Sequence, residues 1–100
     1  MTIKTERNGE AGVTLSLSGR LDTAASPMLE KKLKKLEENI PELTLDFLNL
    51  TYISSMGLRL LLQAQKAMKE QNRKFIIKNM NASIREIFKM TGFLNLMQVE

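Results

Sequence analysis

The chain has 100 residues, 43% apolar and 26% charged, the composition of one globular domain with a single core; disorder and fibrous repeats are excluded. It contains no cysteine and no histidine, which excludes disulfide scaffolds, thiolate and imidazole metal sites, cysteine nucleophiles and histidine-based catalysis. Fifteen basic and eleven acidic residues give a net charge of +4, but the signs are interspersed, aromatics are 5%, and no RNP-like or zinc-finger pattern occurs, so no direct nucleic-acid partner is expected.

The opening residues hold no apolar run of signal-peptide length, about 7–15 residues. No unbroken apolar stretch is longer than Leu60-Leu61-Leu62, far short of the about 20 residues of a membrane helix. A soluble, cytoplasmic protein with no membrane insertion is expected. No linker, internal repeat or low-complexity segment interrupts the chain, and residues 1–100 read as one domain.

Residues 2–7 make a weak strand pattern, and Asn8-Gly9-Glu10 with Gly12 signals a turn. Residues 13–18 then alternate strictly: Val13, Leu15 and Leu17 share one face, and Thr14, Ser16 and Ser18 the other. Two strands across a short turn predict an antiparallel pair. Gly19-Arg20-Leu21-Asp22-Thr23 breaks the pattern. Leu29, Leu33, Leu36 and Ile40, at i, i+4, i+7 and i+11, predict a helix over residues 24–39. Pro27 suits its first turn. The run Lys31-Lys32-Leu33-Lys34-Lys35, followed by Glu37 and Glu38, reads as a solvated helix face.

After Pro41, residues 43–47 alternate as a strand, and residues 49–53 continue extended. A second helix spans residues 55–71, starting near Ser54 or Ser55, with Leu58, Leu61, Leu62, Ala64 and Met68 able to turn inward. Residues 75–78 are a short apolar strand suited to burial on both faces. Asn79 or Asn81 can cap a third helix over residues 82–91, with Ile84, Ile87 and Phe88 inward. Gly92 stands at a left-handed C-cap position, and residues 95–99 form a last strand. The order ββαβαβαβ predicts an α/β fold: a mixed four- to five-stranded sheet, parallel across the crossover helices and antiparallel at the first hairpin.

Phosphate-binding loops of both the G-x-x-x-x-G-K-[ST] and the G-x-G-x-x-G kind are absent. Asp22 and Asp46 are isolated acids and thin ground for an acid/base pair. No activated nucleophile can be assembled, so no enzyme and no cofactor are expected. The informative stretch is Tyr52-Ile53-Ser54-Ser55-Met56-Gly57-Leu58-Arg59, where a strand runs into a serine pair, a glycine and a leucine-rich helix. Serine at a helix start ordinarily caps it. The same free N–H groups and positive dipole end also favour a phosphate, and a phosphoserine there adds about −1.5 to −2 charges.

Four pieces, in order, resemble the STAS domain of anti-sigma factor antagonists. Gly19-Arg20-Leu21-Asp22 is similar to the family's Gly-Glu-Leu-Asp motif. Leu45-Asp46-Phe47 with Leu50, Tyr52 and Ile53 resembles its third strand. Ser54-Ser55-Met56-Gly57-Leu58 resembles its Asp-Ser-Ser-Gly-Leu signature. Ile84-Arg85-Glu86-Ile87-Phe88 with Thr91-Gly92-Phe93 resembles its third helix and closing turn. The resemblance implies a bacterial partner-switching regulator of transcription. Ser55 would be phosphorylated by a serine kinase that is also the anti-sigma factor. The unphosphorylated form would bind that kinase, phosphorylation would break the complex, and a serine phosphatase would restore it. A monomer or weak dimer is expected.

Two departures mark the signature. Ser54 stands where the family has Asp, which makes Ser54 a second candidate acceptor, and Met56 replaces a small residue. The expected partner face comprises Asp22, Thr23, Ser54, Ser55, Met56, Gly57 and Arg59. Asp22 has a second reading as a helix cap, and Met56 a second reading as core filler. Two other functions stay open within the fold: a constitutive STAS subunit of a regulatory or lipid-transport assembly, and a small-molecule or nucleotide sensor.

Overall fold

Val13, Leu15 and Leu17 are all but fully buried in a computed structural model that describes residues 1–36 and 40–100, so the strict alternation of the second strand carries directly into the core. The elements are β1 (Thr2–Arg7), β2 (Val13–Leu21), α1 (Ser26–Leu36), β3 (Glu42–Ile53), α2 (Ser55–Glu70), β4 (Lys74–Lys78), α3 (Ala82–Met90), a single 3₁₀ turn (Phe93–Asn95) and β5 (Gln98–Val99). They form the predicted α/β fold, with a mixed sheet of five strands.

The strands lie in sequence order, β1-β2-β3-β4-β5. β1 runs antiparallel to β2, and every other neighbouring pair is parallel. Successive side chains on a strand point to opposite faces, so the register sorts whole rows. Thr5, Leu15, Leu45, Ile77 and Val99 form one row, and Arg7, Val13, Leu43 and Phe75 another on the same face. The helices cover that face: Leu43 lines one hollow with Leu33 and Leu36 of α1 and Ala64 and Met68 of α2, and Phe47 meets Phe88 of α3 edge-on at 6.4 Å. Right-handed crossovers between strands in sequence order place all the helices on one side. The other face carries the row Lys4, Ser16, Asp46 and Lys78. Ile76 lies on that face and is still buried, so β4 has the doubly buried character expected of it.

The differences from the predicted boundaries have local causes. Helix α1 starts at Ser26 and not at residue 24, because Asp22 first organises a turn. Its Oδ1 accepts the Ala25 N–H at 2.9 Å, and its carbonyl accepts both the Ser26 N–H and the Ser26 hydroxyl. The predicted helix end at residues 37–39 lies outside the described residues. β3 is one strand of 12 residues; Leu48 points outward after the buried Phe47, and a register shift against β2 between Asp46 and Asn49 brings Leu50 back into the core. β5 is shorter than predicted because the Leu96 and Met97 N–H groups both return to the Phe93 carbonyl. Phe93 is held there edge-on to Phe88 at 6.1 Å. Of the two candidate caps for α3, Asn81 serves, its Oδ1 accepting the Ile84 N–H at 2.8 Å. Gly92 has φ +79°, as its C-cap position requires.

Candidate partner-binding site

The C-terminal ends of β2 and β3 are adjacent, with Leu21 paired to Ile53. Both side chains are buried. The Ser54 N–H donates to the Leu21 carbonyl at 2.9 Å, so the chain leaves β3 already fastened to the end of β2. Ser54 is extended (φ −90°, ψ 169°), and its hydroxyl accepts the Gly57 N–H at 3.1 Å. It is the N-cap of α2 and is buried.

Ser55, the first residue of α2, is exposed. The first i→i−4 bond of the helix is Leu58 N–H to the Ser54 carbonyl. The N–H groups of Ser55 and Met56 precede it and have no intrahelical acceptor. No acid stands in this first turn to meet the positive end of the dipole. Met56 and Arg59 are exposed, and Arg59 stands one turn after Ser55.

Gly57 lies beneath this surface. A Cβ there would come within 2.9 Å of Leu21 Cγ, so its contribution is close packing and the exposed face belongs to its neighbours. Thr23, Met56 and Arg59 do come together, lining an open groove of about 430 Å³ between α1 and α2. Asp22 does not line that groove. It lines a separate hollow with Arg20 and Met28 and holds the turn into α1, so the cap-like hydrogen bond is formed. Asp46 is also tied locally, to the Leu48 N–H and the Asn79 amide.

The sequence reading missed Pro27 and Glu30 on one wall of the groove and Leu60 and Gln63 on the other. Their spacing was a usable signal: Pro27 and Glu30 stand three apart on α1, and Met56, Leu60 and Gln63 follow i, i+4, i+7 on α2. It also missed Arg20, whose guanidinium stacks over the Tyr52 ring at 4.1 Å. These two are register partners one step before Leu21 and Ile53, on the opposite face of the sheet. Among the described residues no group of three or more acids gathers as a metal site, and no helix is long and apolar enough to cross a membrane.

Fold and site together define a small α/β domain whose exposed serine and helical groove share one edge of the sheet. The STAS domain family model matches residues 2–100, and the chain belongs to that family, among the anti-sigma factor antagonists. A Bordetella bronchiseptica protein named as the anti-sigma factor antagonist BtrV is 30% identical over 84 residues, 83% of this chain and 72% of its own length. An anti-sigma factor antagonist from Mycobacterium paratuberculosis superposes with a TM-score of 0.88 at 20% identity, over 98% of this chain and 83% of its own. The Bacillus cell fate determinant SpoIIAA in its phosphorylated form gives 0.78 at 20% identity, over 99% of this chain and 91% of its own.

Proposed function

We propose that this domain is a phospho-regulated binding module of the cytoplasm, an antagonist that engages an anti-sigma factor with serine-kinase activity and is released when Ser55 is phosphorylated. The observation that carries this reading is the contrast between the two serines: the Ser54 hydroxyl is buried and occupied as a cap, whereas Ser55 is exposed, one residue before Met56 of the α1–α2 groove. A kinase needs an accessible hydroxyl, and of the two adjacent serines Ser55 offers it. The structural neighbour SpoIIAA exists in a phosphorylated form, which supports the reading.

The protein's own contribution is positioning. The Ser54 cap and the Leu21 carbonyl fix the start of α2, so Ser55, Met56 and Arg59 form one preset surface with Thr23 across the groove. The unmodified surface presents a small neutral hydroxyl to its partner. A phosphate replaces it with about −1.5 to −2 charges, which a close-packed contact rejects. In the free domain the dianion is tolerated by the start of α2 and by Arg59. A serine phosphatase would return the module to its binding state. The domain acts by binding and catalyses nothing itself.

The test is incubation with ATP and the candidate anti-sigma kinase, followed by intact mass and peptide mapping. One phosphate on Ser55 is expected, and Ser55→Ala should keep partner binding but accept no phosphate. Phosphate on Ser54 alone would move the switch by one residue. Stable binding with no phosphorylation at all would make the domain a constitutive subunit.

A further inference from the structure

Helix α1 has an exposed flank that the α1–α2 groove does not use. Its core stripe is Leu29, Leu33 and Leu36, and Pro27 and Glu30 face α2. Met28, Lys31, Lys32 and Lys35 fall at i, i+3, i+4 and i+7, a separate stripe on the side toward β1. With Ile3 of β1 they line an open groove of about 340 Å³. Met28 is 50% exposed, and Ile3 is partly buried against the core.

Among the described residues the charge in this groove is one-sided. The register puts Ile3, Thr5 and Arg7 of β1 on the helix-covered face, and turns Lys4 and Glu6 to the other. No acid of β1 therefore faces α1. Among the described residues Lys31, Lys32 and Lys35 have no carboxylate within ion-pair distance. Lys31 and Lys35 are one turn apart, a like-charge spacing that mildly destabilises a helix. A merely solvated face explains lysines, but it does not explain an apolar floor beside them.

We propose that this groove docks an acidic segment of a partner protein, an apolar side chain seated on Met28 and Ile3 and carboxylates meeting Lys31, Lys32 and Lys35. Charge complementarity selects this occupant. A second copy of the chain carries the same net +4 and presents the same basic groove. A membrane surface calls for aromatic or leucine-rich apolar area, and this floor is two aliphatic side chains. A duplex is gripped by a broad basic face, and here the lysines border a narrow apolar groove. The site lies on the opposite flank of α1 from the groove lined by Thr23 and Met56, so both can be occupied together.

Fluorescence anisotropy with a short fluorescein-labelled peptide of alternating glutamate and leucine tests the proposal. Wild type should bind it, with affinity falling as salt rises. The double variant Lys31→Glu/Lys35→Glu should bind about tenfold more weakly or worse. Lys66→Glu/Lys69→Glu, an equal charge change on α2, should stay near wild type. Replacing the leucines of the peptide by serine should weaken binding, and so should Met28→Ser. Circular dichroism checks that each variant is folded. Equal losses for both lysine pairs would reduce the effect to net charge and overturn the proposal. So would the absence of binding to wild type, or dependence on Lys31 and Lys35 for a DNA duplex or anionic vesicles but not for the peptide.

Discussion

Gly57 rests on Leu21 so closely that a Cβ at residue 57 would stand 2.9 Å from Leu21 Cγ and 3.0 Å from the Leu21 carbonyl oxygen. The same carbonyl accepts the Ser54 N–H. One residue at the end of β2 thus sets both the exit from β3 and the height of the first turn of α2. The signature glycine is required by this approach.

Gly57→Ala should therefore destabilise the domain although alanine is the better helix former. Alanine gains at most about 1 kcal/mol of propensity in a helix interior, and less in a first turn. Overpacking costs about 1–3 kcal/mol, and a strand carbonyl cannot rotate out of the way. A net loss of about 1–2 kcal/mol is expected in urea unfolding. A gain in stability would mean that α2 slides freely over Leu21.

Gly92→Ala isolates the backbone effect. A Cβ there meets nothing within 4 Å, but φ is +79°. The expected cost is about 1–2 kcal/mol, arising from the left-handed conformation alone. An unchanged urea midpoint would mean that the turn after α3 relaxes to negative φ.

At Ser54 the cap argument gives two opposite outcomes. Ser54→Ala removes the acceptor of the Gly57 N–H and should cost about 0.5–2 kcal/mol. Ser54→Asp keeps an acceptor and adds negative charge at the dipole's positive end, so it should match or exceed wild type in thermal unfolding. If alanine is tolerated as well as aspartate, the cap contributes nothing.

Alternation and helical stripes were enough to read the element order, the hairpin and the parallel sheet, because Val13, Leu15 and Leu17, or Leu29 and Leu33, are buried on one repeating face. Element ends were less legible. The delayed start of α1 depends on Asp22 accepting from two following residues, and the short β5 depends on Phe93 finding Phe88 across the core. Both are tertiary or turn effects that periodicity does not carry. At the site, the serine pair was visible, but two adjacent serines look alike in sequence. Only the cap geometry separates the buried Ser54 from the exposed Ser55. Arg20 over Tyr52 depends on a register shift between β2 and β3, which no local pattern encodes.

Ser55→Asp separates the partner contact from the fold. The residue is exposed at the first position of α2, where a carboxylate suits the dipole by about 0.3–1 kcal/mol. The isolated domain should thus be as stable as wild type or slightly more so. Binding should respond the other way. If Ser55 is enclosed by the partner, an uncompensated charge there costs about 3–5 kcal/mol, which isothermal titration against the proposed anti-sigma partner would register as near-complete loss of affinity. One carboxylate carries less charge than a phosphate, so the effect is a lower bound on that of the modification. Met56→Lys, one residue along the same exposed turn, should also weaken binding. Equal affinities for wild type and Ser55→Asp, with the variant folded by circular dichroism, would take Ser55 out of the interface and leave α2 with an exposed serine of no regulatory consequence.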